Sequence, residues 1–211
     1  MNRVNIFNQI HKALRALLYD TALMLQQTCF DDQQESAPAL ERLEMVLTQF
    51  DQHAAIEDEF ILPALLKYEE ATVQAFEQEH VEDHALAQQL RGLMSAIGQA
   101  VSAAEKEEIG RNIVNRFVAF LSFNLVHMAK EEEVLNRLLW KYYSDEEIWG
   151  IHHRIVQSIP PAKAAAGAFW MIKGLNNEEL AAWLQSVHKS GQDAVYRQLL
   201  DWSERELTYY R

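Results

Sequence analysis

Four histidine-bearing segments hold most of the chemistry in this chain. His11 stands alone in NQIHKAL, His53 and Glu57 are joined in HAAIE, His80 and His84 in HVEDH, and His127 and Glu131 in HMAKE. Residues four apart on an α-helix project from one face, so each pair can aim two ligand atoms at one point. Eight histidines and twenty-two glutamates among 211 residues give about one HxxxE pair by chance, so a single pair means little. The order is harder to reach by accident: one histidine, then HxxxE, HxxxH and HxxxE, each in an apolar frame that turns it inward. Burying five imidazoles and two carboxylates with nothing to coordinate would cost several kcal/mol. The constellation therefore points to a metal site, and imidazole with carboxylate suits iron, manganese or zinc.

The elements that must position these residues are helices. Ile6, Ile10, Leu14, Leu17, Leu18 and Leu25 recur at steps of three and four, which predicts a first helix that ends near DDQQESAP. Further helices are expected over Ala39–Tyr68, Ala71 to about Gln99, and Ala103 to about Tyr143. Pro63 should kink the second or mark its last regular turn. Seven glycines and four prolines are too few for a barrel or sandwich of many short strands. The expected fold is all-α: an antiparallel up-down four-helix bundle over residues 1–143, in which one site fed by four helices is natural.

Residues 144–211 differ and are read as an aromatic-rich C-terminal helical extension packed on the bundle. Trp149, Trp170, Trp183 and Trp202 fall there, and Trp140 lies just before it. Ser144 with Glu147 has the form of a capping box, Pro160 and Pro161 open another helix, and Asn176 or Asn177 caps a last one running toward Tyr209. Gly150, Gly167 and Gly174 are read as helix stops. The tryptophans form an enlarged core in this reading, with an interface for a protein partner or a second copy as the alternative.

Nineteen basic against thirty-one acidic side chains give a formal charge of −12, which argues against nucleic acid or an anionic membrane as partner. No apolar run has the length of a signal peptide core or a spanning helix. The single Cys29, read as a packed side chain, suits a reducing compartment, and the expected location is cytoplasmic.

The histidine pattern resembles the hemerythrin-like (HHE) cation-binding family over about residues 5–140. The resemblance implies two iron ions with an oxo or hydroxo bridge, manganese or zinc being alternatives. It assigns His80, His84 and His127 to one iron and His11 and His53 to the other, with Glu57 and Glu131 bridging. The invertebrate oxygen carriers use an aspartate five residues after the last histidine. Here the four-residue step reaches Glu131 and the five-residue step Glu132, and Glu131 is preferred, with Glu132 expected to face solvent. Seven protein ligands and one bridge leave a single open position, on the iron held by His11 and His53. The implied function is binding or sensing of dioxygen or a related small oxidant. Alternatives are an enzyme reducing peroxide or nitric oxide, and a metal-storage or interaction protein.

Rival chemistries fit less well. A ferritin-like site needs two ExxH motifs, and only Glu77 with His80 has that spacing. A zinc protease needs glutamate where Val81 stands. Phe7, Ile10, Leu14 and Ile56 are the expected inward neighbours of His11 and His53, an apolar set favouring binding over proton-coupled reduction. Tyr19, two turns from His11, is the candidate general acid. His152, His153 and His188 are read as surface or interface residues.

Overall fold

The computed structural model describes residues 3–191 and 193–207, and every regular element among them is helical. α1 (Asn8–Gln27) carries His11 in its first turn. α2 (Gln33–Ile56) starts earlier than the apolar spacing indicates, because the Asp32 side chain caps it by accepting from the Gln34 N–H at 2.7 Å. Pro38 is accommodated near its start.

The second expected helix is interrupted. Glu57–Ile61 forms a wide π turn, and α3 (Leu62–Leu66) resumes with Pro63 in its first turn. Proline lacks the N–H that an α-helix would use there, so the wider turn coincides with a break in the ordinary ladder. α4 spans Glu70–Gln99. The long fourth helix is interrupted in the same way: α5 (Ala103–Lys130), a π turn at Glu131–Leu135, then α6 (Asn136–Tyr142). Each π turn begins at a glutamate of an HxxxE pair. The Glu57 carbonyl accepts from the Leu62 N–H, and the Glu131 carbonyl from that of Asn136, each five residues on.

The remaining helices are α7 (Asp145–Ser158), α8 (Pro161–Gly174), α9 (Asn177–Lys189) and α10 (Asp193–Leu207). Ser144 with Glu147 and Asn176 with Glu179 form capping boxes. Gly174 ends α8, but Gly150 and Gly167 lie inside helices and stop nothing. The last expected helix is two, broken at Gly191, whose φ of 76° suits a residue without Cβ. The end toward Tyr209 lies outside the described residues. No helix among them is long and apolar enough to cross a membrane.

α1, α2, α4 and α5 each pack on two of the others and close a ring. One apolar core inside it includes Leu14, Leu17, Leu43, Phe50, Leu90, Phe117 and Phe120. A second core at one end joins Phe7, Ile61, Leu62, Phe76, Leu135, Leu139 and Ile148. Along each ring helix the ligand candidates fall between members of these two cores: His11 between Phe7 and Leu14, His53 and Glu57 between Phe50 and Ile61, His80 between Phe76 and Ala87, His127 and Glu131 between Phe120 and Leu135. The polar layer is thus sandwiched between apolar ones. α8 lies along α1 and sends Trp170 into the first core, while Ile172, Leu180 and Leu199 join α8, α9 and α10 in a third.

Candidate metal centre

Six of the seven expected ligands converge. His11, His53, Glu57 and Glu131 place one ligand atom each within 4.8 Å of one another, and Glu57, His80, His127 and Glu131 do the same. Both groups share the two glutamates. Glu57 Oε1 lies 3.3 Å from His53 Nε2 while its Oε2 lies 3.4 Å from His80 Nε2. Glu131 Oε1 lies 2.9 Å from His127 Nε2 while its Oε2 lies 3.3 Å from His11 Nε2. Each carboxylate therefore splits its oxygens between two adjacent pockets, the arrangement a bridging ligand needs.

His11 Nε2 and His53 Nε2 lie 3.1 Å apart, within hydrogen-bond reach, but most of the other ligand atoms have no such partner. Both oxygens of Glu57 and of Glu131, and Nε2 of His80, are buried without a partner in hydrogen-bond geometry. Unpaired buried carboxylates are costly, and a cation between them removes the cost. Three imidazoles are fixed from behind. His11 Nδ1 meets Glu132 at 2.9 Å, His80 Nδ1 meets Asp58 at 2.7 Å and His127 Nδ1 meets Glu79 at 2.8 Å. A carboxylate at Nδ1 holds a proton there, so that once Nε2 gives up its own proton to an incoming cation the lone pair faces the pocket. Arg15 braces Glu132 at 2.8 Å and Lys130 braces Glu79 at 2.7 Å. Among the described residues no side chain does this for His53.

Protonation follows the same geometry. Burial, and the neighbouring charge of Glu131, push the Glu57 carboxyl well above the usual range. Burial also opposes ionisation of Glu131, but contacts from His11, His127 and His80 hold it well below that range. Burial, and electrostatic repulsion between the two adjacent imidazoles of this pocket, push His53 down to about 3. Burial works against protonation of His80 too, yet Glu131, Glu57 and Asp58 hold it at about 11. One carboxylate of the pair thus keeps a proton and the other does not.

His84 does not join them. Its side chain is 60% exposed, with Nδ1 3.1 Å from Asp51. The inward face of α4 runs through Phe76, His80, Asp83 and Ala87, so the step after His80 is three residues and delivers Asp83. Asp83 accepts from Asn124 Nδ2 at 2.6 Å. Glu131, rather than Glu132, supplies both pockets, and Glu132 is partly buried on His11 instead of facing solvent. Phe7 and Leu14 are buried near His11 as expected, whereas Ile10 and Ile56 are only partly so. Tyr19 is 55% exposed on the outer face of α1 and is no acid for this site. Cys29 is exposed rather than packed, and its hydrogen bond to Asp31 pushes the thiol up to about 11, away from nucleophilic use.

Sequence reasoning missed Asp58 and Glu79 and misplaced Glu132. Each is the immediate chain neighbour of a pocket residue, Glu57, His80 and Glu131 respectively, and that adjacency is the signal that could have found them.

Comparison with known proteins agrees with this geometry. F-box/LRR-repeat protein 5 from Salmo salar is 25% identical over 206 residues, covering 98% of this chain and 28% of the relative. The Mus musculus protein of that name is 24% identical over 192 residues, covering 91% and 27%. The chain thus spans a little over a quarter of the length of these relatives, and the salmon match runs through the C-terminal helices. No solved structure matches it significantly. The hemerythrin HHE cation binding domain matches residues 2–139, the stretch that supplies all six converging residues, and the chain belongs to that family.

Proposed function

We propose that the chain is a non-haem di-iron protein that binds or senses dioxygen or a related small oxidant such as peroxide or nitric oxide. The observation that carries this reading is the division of two buried carboxylates between two histidine pockets. His11 and His53 would hold one ion, His80 and His127 the other, with Glu57 and Glu131 bridging. Six donors rather than seven would hold the two ions, which would leave room for a small ligand beside the protein donors. Bound iron would supply the change of oxidation state; the same donors also accept manganese or zinc.

The chain's residues supply the setting. Glu132, Asp58 and Glu79 hold three imidazoles in the ligating tautomer. Phe7, Ile61, Phe76 and Leu135 form an apolar floor that excludes water. With Tyr19 turned outward, this setting favours binding over proton-coupled reduction. In this reading residues 1–143 are an antiparallel up-down bundle in a reducing, cytoplasmic setting. Residues 144–211 then carry the response to a protein partner or a second copy. Lys12, next to His11, pairs with Glu179 at 2.6 Å, so α9 rests on the turn that presents the ligand.

The test is the optical spectrum of iron-loaded, reduced protein exposed to dioxygen. The expected result is an absorption band that appears with dioxygen and disappears when it is removed. No spectral response overturns the reading, and repeated turnover of peroxide moves it to an enzyme.

A further inference from the structure

The two HxxxE segments are followed by a second matched pair. His53, Glu57, Lys67 and Tyr68 correspond, at one constant offset along the chain, to His127, Glu131, Lys141 and Tyr142. The corresponding tyrosines meet. Their rings stack at 4.1 Å between centroids and 3° between planes. Lys67 Nζ lies 4.5 Å from the centre of one ring and Lys141 Nζ 4.5 Å from the other. The Tyr142 hydroxyl donates to Glu69 Oε1 at 2.6 Å, and Lys141 Nζ reaches the same oxygen at 3.1 Å. These bonds hold the Glu69 carboxyl below its ordinary range, so it is ionised and ready to accept a proton.

We propose that Tyr68 and Tyr142 form an oxidative modification site, joined through their rings by a carbon–carbon bond when one-electron oxidants reach this end of the molecule. Tyr142 loses one electron and passes its phenolic proton to Glu69. Tyr68, 40% exposed, loses one electron and gives its proton to solvent. The two phenoxyl radicals then couple at ring carbons next to the hydroxyls. Each of those carbons releases its hydrogen as a proton, and each phenolic oxygen takes one back, the Tyr142 oxygen regaining its own from Glu69. The balance is one C–C bond formed, two C–H bonds broken, and two electrons and two protons released. Two equivalents of a one-electron oxidant accept the electrons. Parallel stacking at contact distance is what favours this pair. Tyr143 meets Tyr68 edge-on at 6.1 Å, with its hydroxyl committed to the Ala64 carbonyl at 2.6 Å. The bond ties the end of α3 to the end of α6, closing the metal-bearing end without any need for metal in its formation.

The experiment uses the full chain, metal-free, with a photo-oxidised ruthenium tris-bipyridine complex and persulfate as the terminal acceptor, which takes two electrons to give two sulfates. The expected product is monomeric, fluoresces as dityrosine, is lighter by two hydrogens, and yields a peptide pair linked at residues 68 and 142. Tyr68→Phe and Tyr142→Phe keep the stacked rings and should each abolish that pair, with helical content unchanged by circular dichroism. Glu69→Gln should lower its yield several-fold. Links mapped to Tyr19 or Tyr143, links formed only between chains, or an undiminished dityrosine yield in Tyr142→Phe would overturn the proposal.

Discussion

Glu57 and Glu131 serve both pockets, while each histidine serves one, and this sets an order among substitutions. Glu57→Gln should lose both ions, since one oxygen faces each pocket. His53→Ala should retain one, in the pocket of His80 and His127. Metal analysis after gel filtration checks both. Glu79→Gln keeps the contact to His127 Nδ1 but not the charge, and should lower metal affinity about 10- to 100-fold, measured by competition with a chelator. Loading should also release protons. Glu57, His80 and His127 sit above their ordinary values without metal, so they carry protons near neutral pH that ligation must displace. Glu131 and His53 sit below theirs and contribute none. Affinity should therefore rise with pH, and a pH-stat should record net proton release as ions bind. Five of the six converging residues follow directly from one lone histidine and two HxxxE pairs. His84 shows the weakness of spacing alone: residues four apart share a face only broadly, and the inward stripe of α4 turns by three at that point.

At the scale of elements, the helices and their caps were readable where periodicity and capping residues agree, as at Ser144 with Glu147 and Asn176 with Glu179. The π turns were not, because one extra residue per turn leaves no mark in an apolar pattern read over eleven residues or more. Pro63 hinted at the first, and nothing comparable stands at Glu131–Leu135. Both turns set the rotation between the ligand glutamate and the second core. Deleting exposed Glu59 removes the one extra residue, so an ordinary α turn should replace the π turn with Ile61, Leu62 and Leu65 still facing that core, and metal binding and most helix should remain. Far-UV circular dichroism beside metal analysis would separate this from global unfolding.

For the whole molecule, tryptophan-rich composition pointed to an extension but not to how closely it sits. A Cβ added at Gly174 would stand 2.3 Å from the Lys12 carbonyl oxygen, in the backbone beside His11. Gly174→Ala should push α8 away from α1 and cost about 1–3 kcal/mol, seen as a melting point lower by several degrees. The close approach was illegible because it joins residues far apart in sequence, whereas the ligand pattern lies within single helices. On the proposed function, six residues hold two ions and His84 takes no part. Anaerobic titration with ferrous iron tests it most directly. The expected result is two irons per chain in the wild-type protein and in His84→Ala alike; one or fewer in the wild type, or a drop on losing His84, would contradict it.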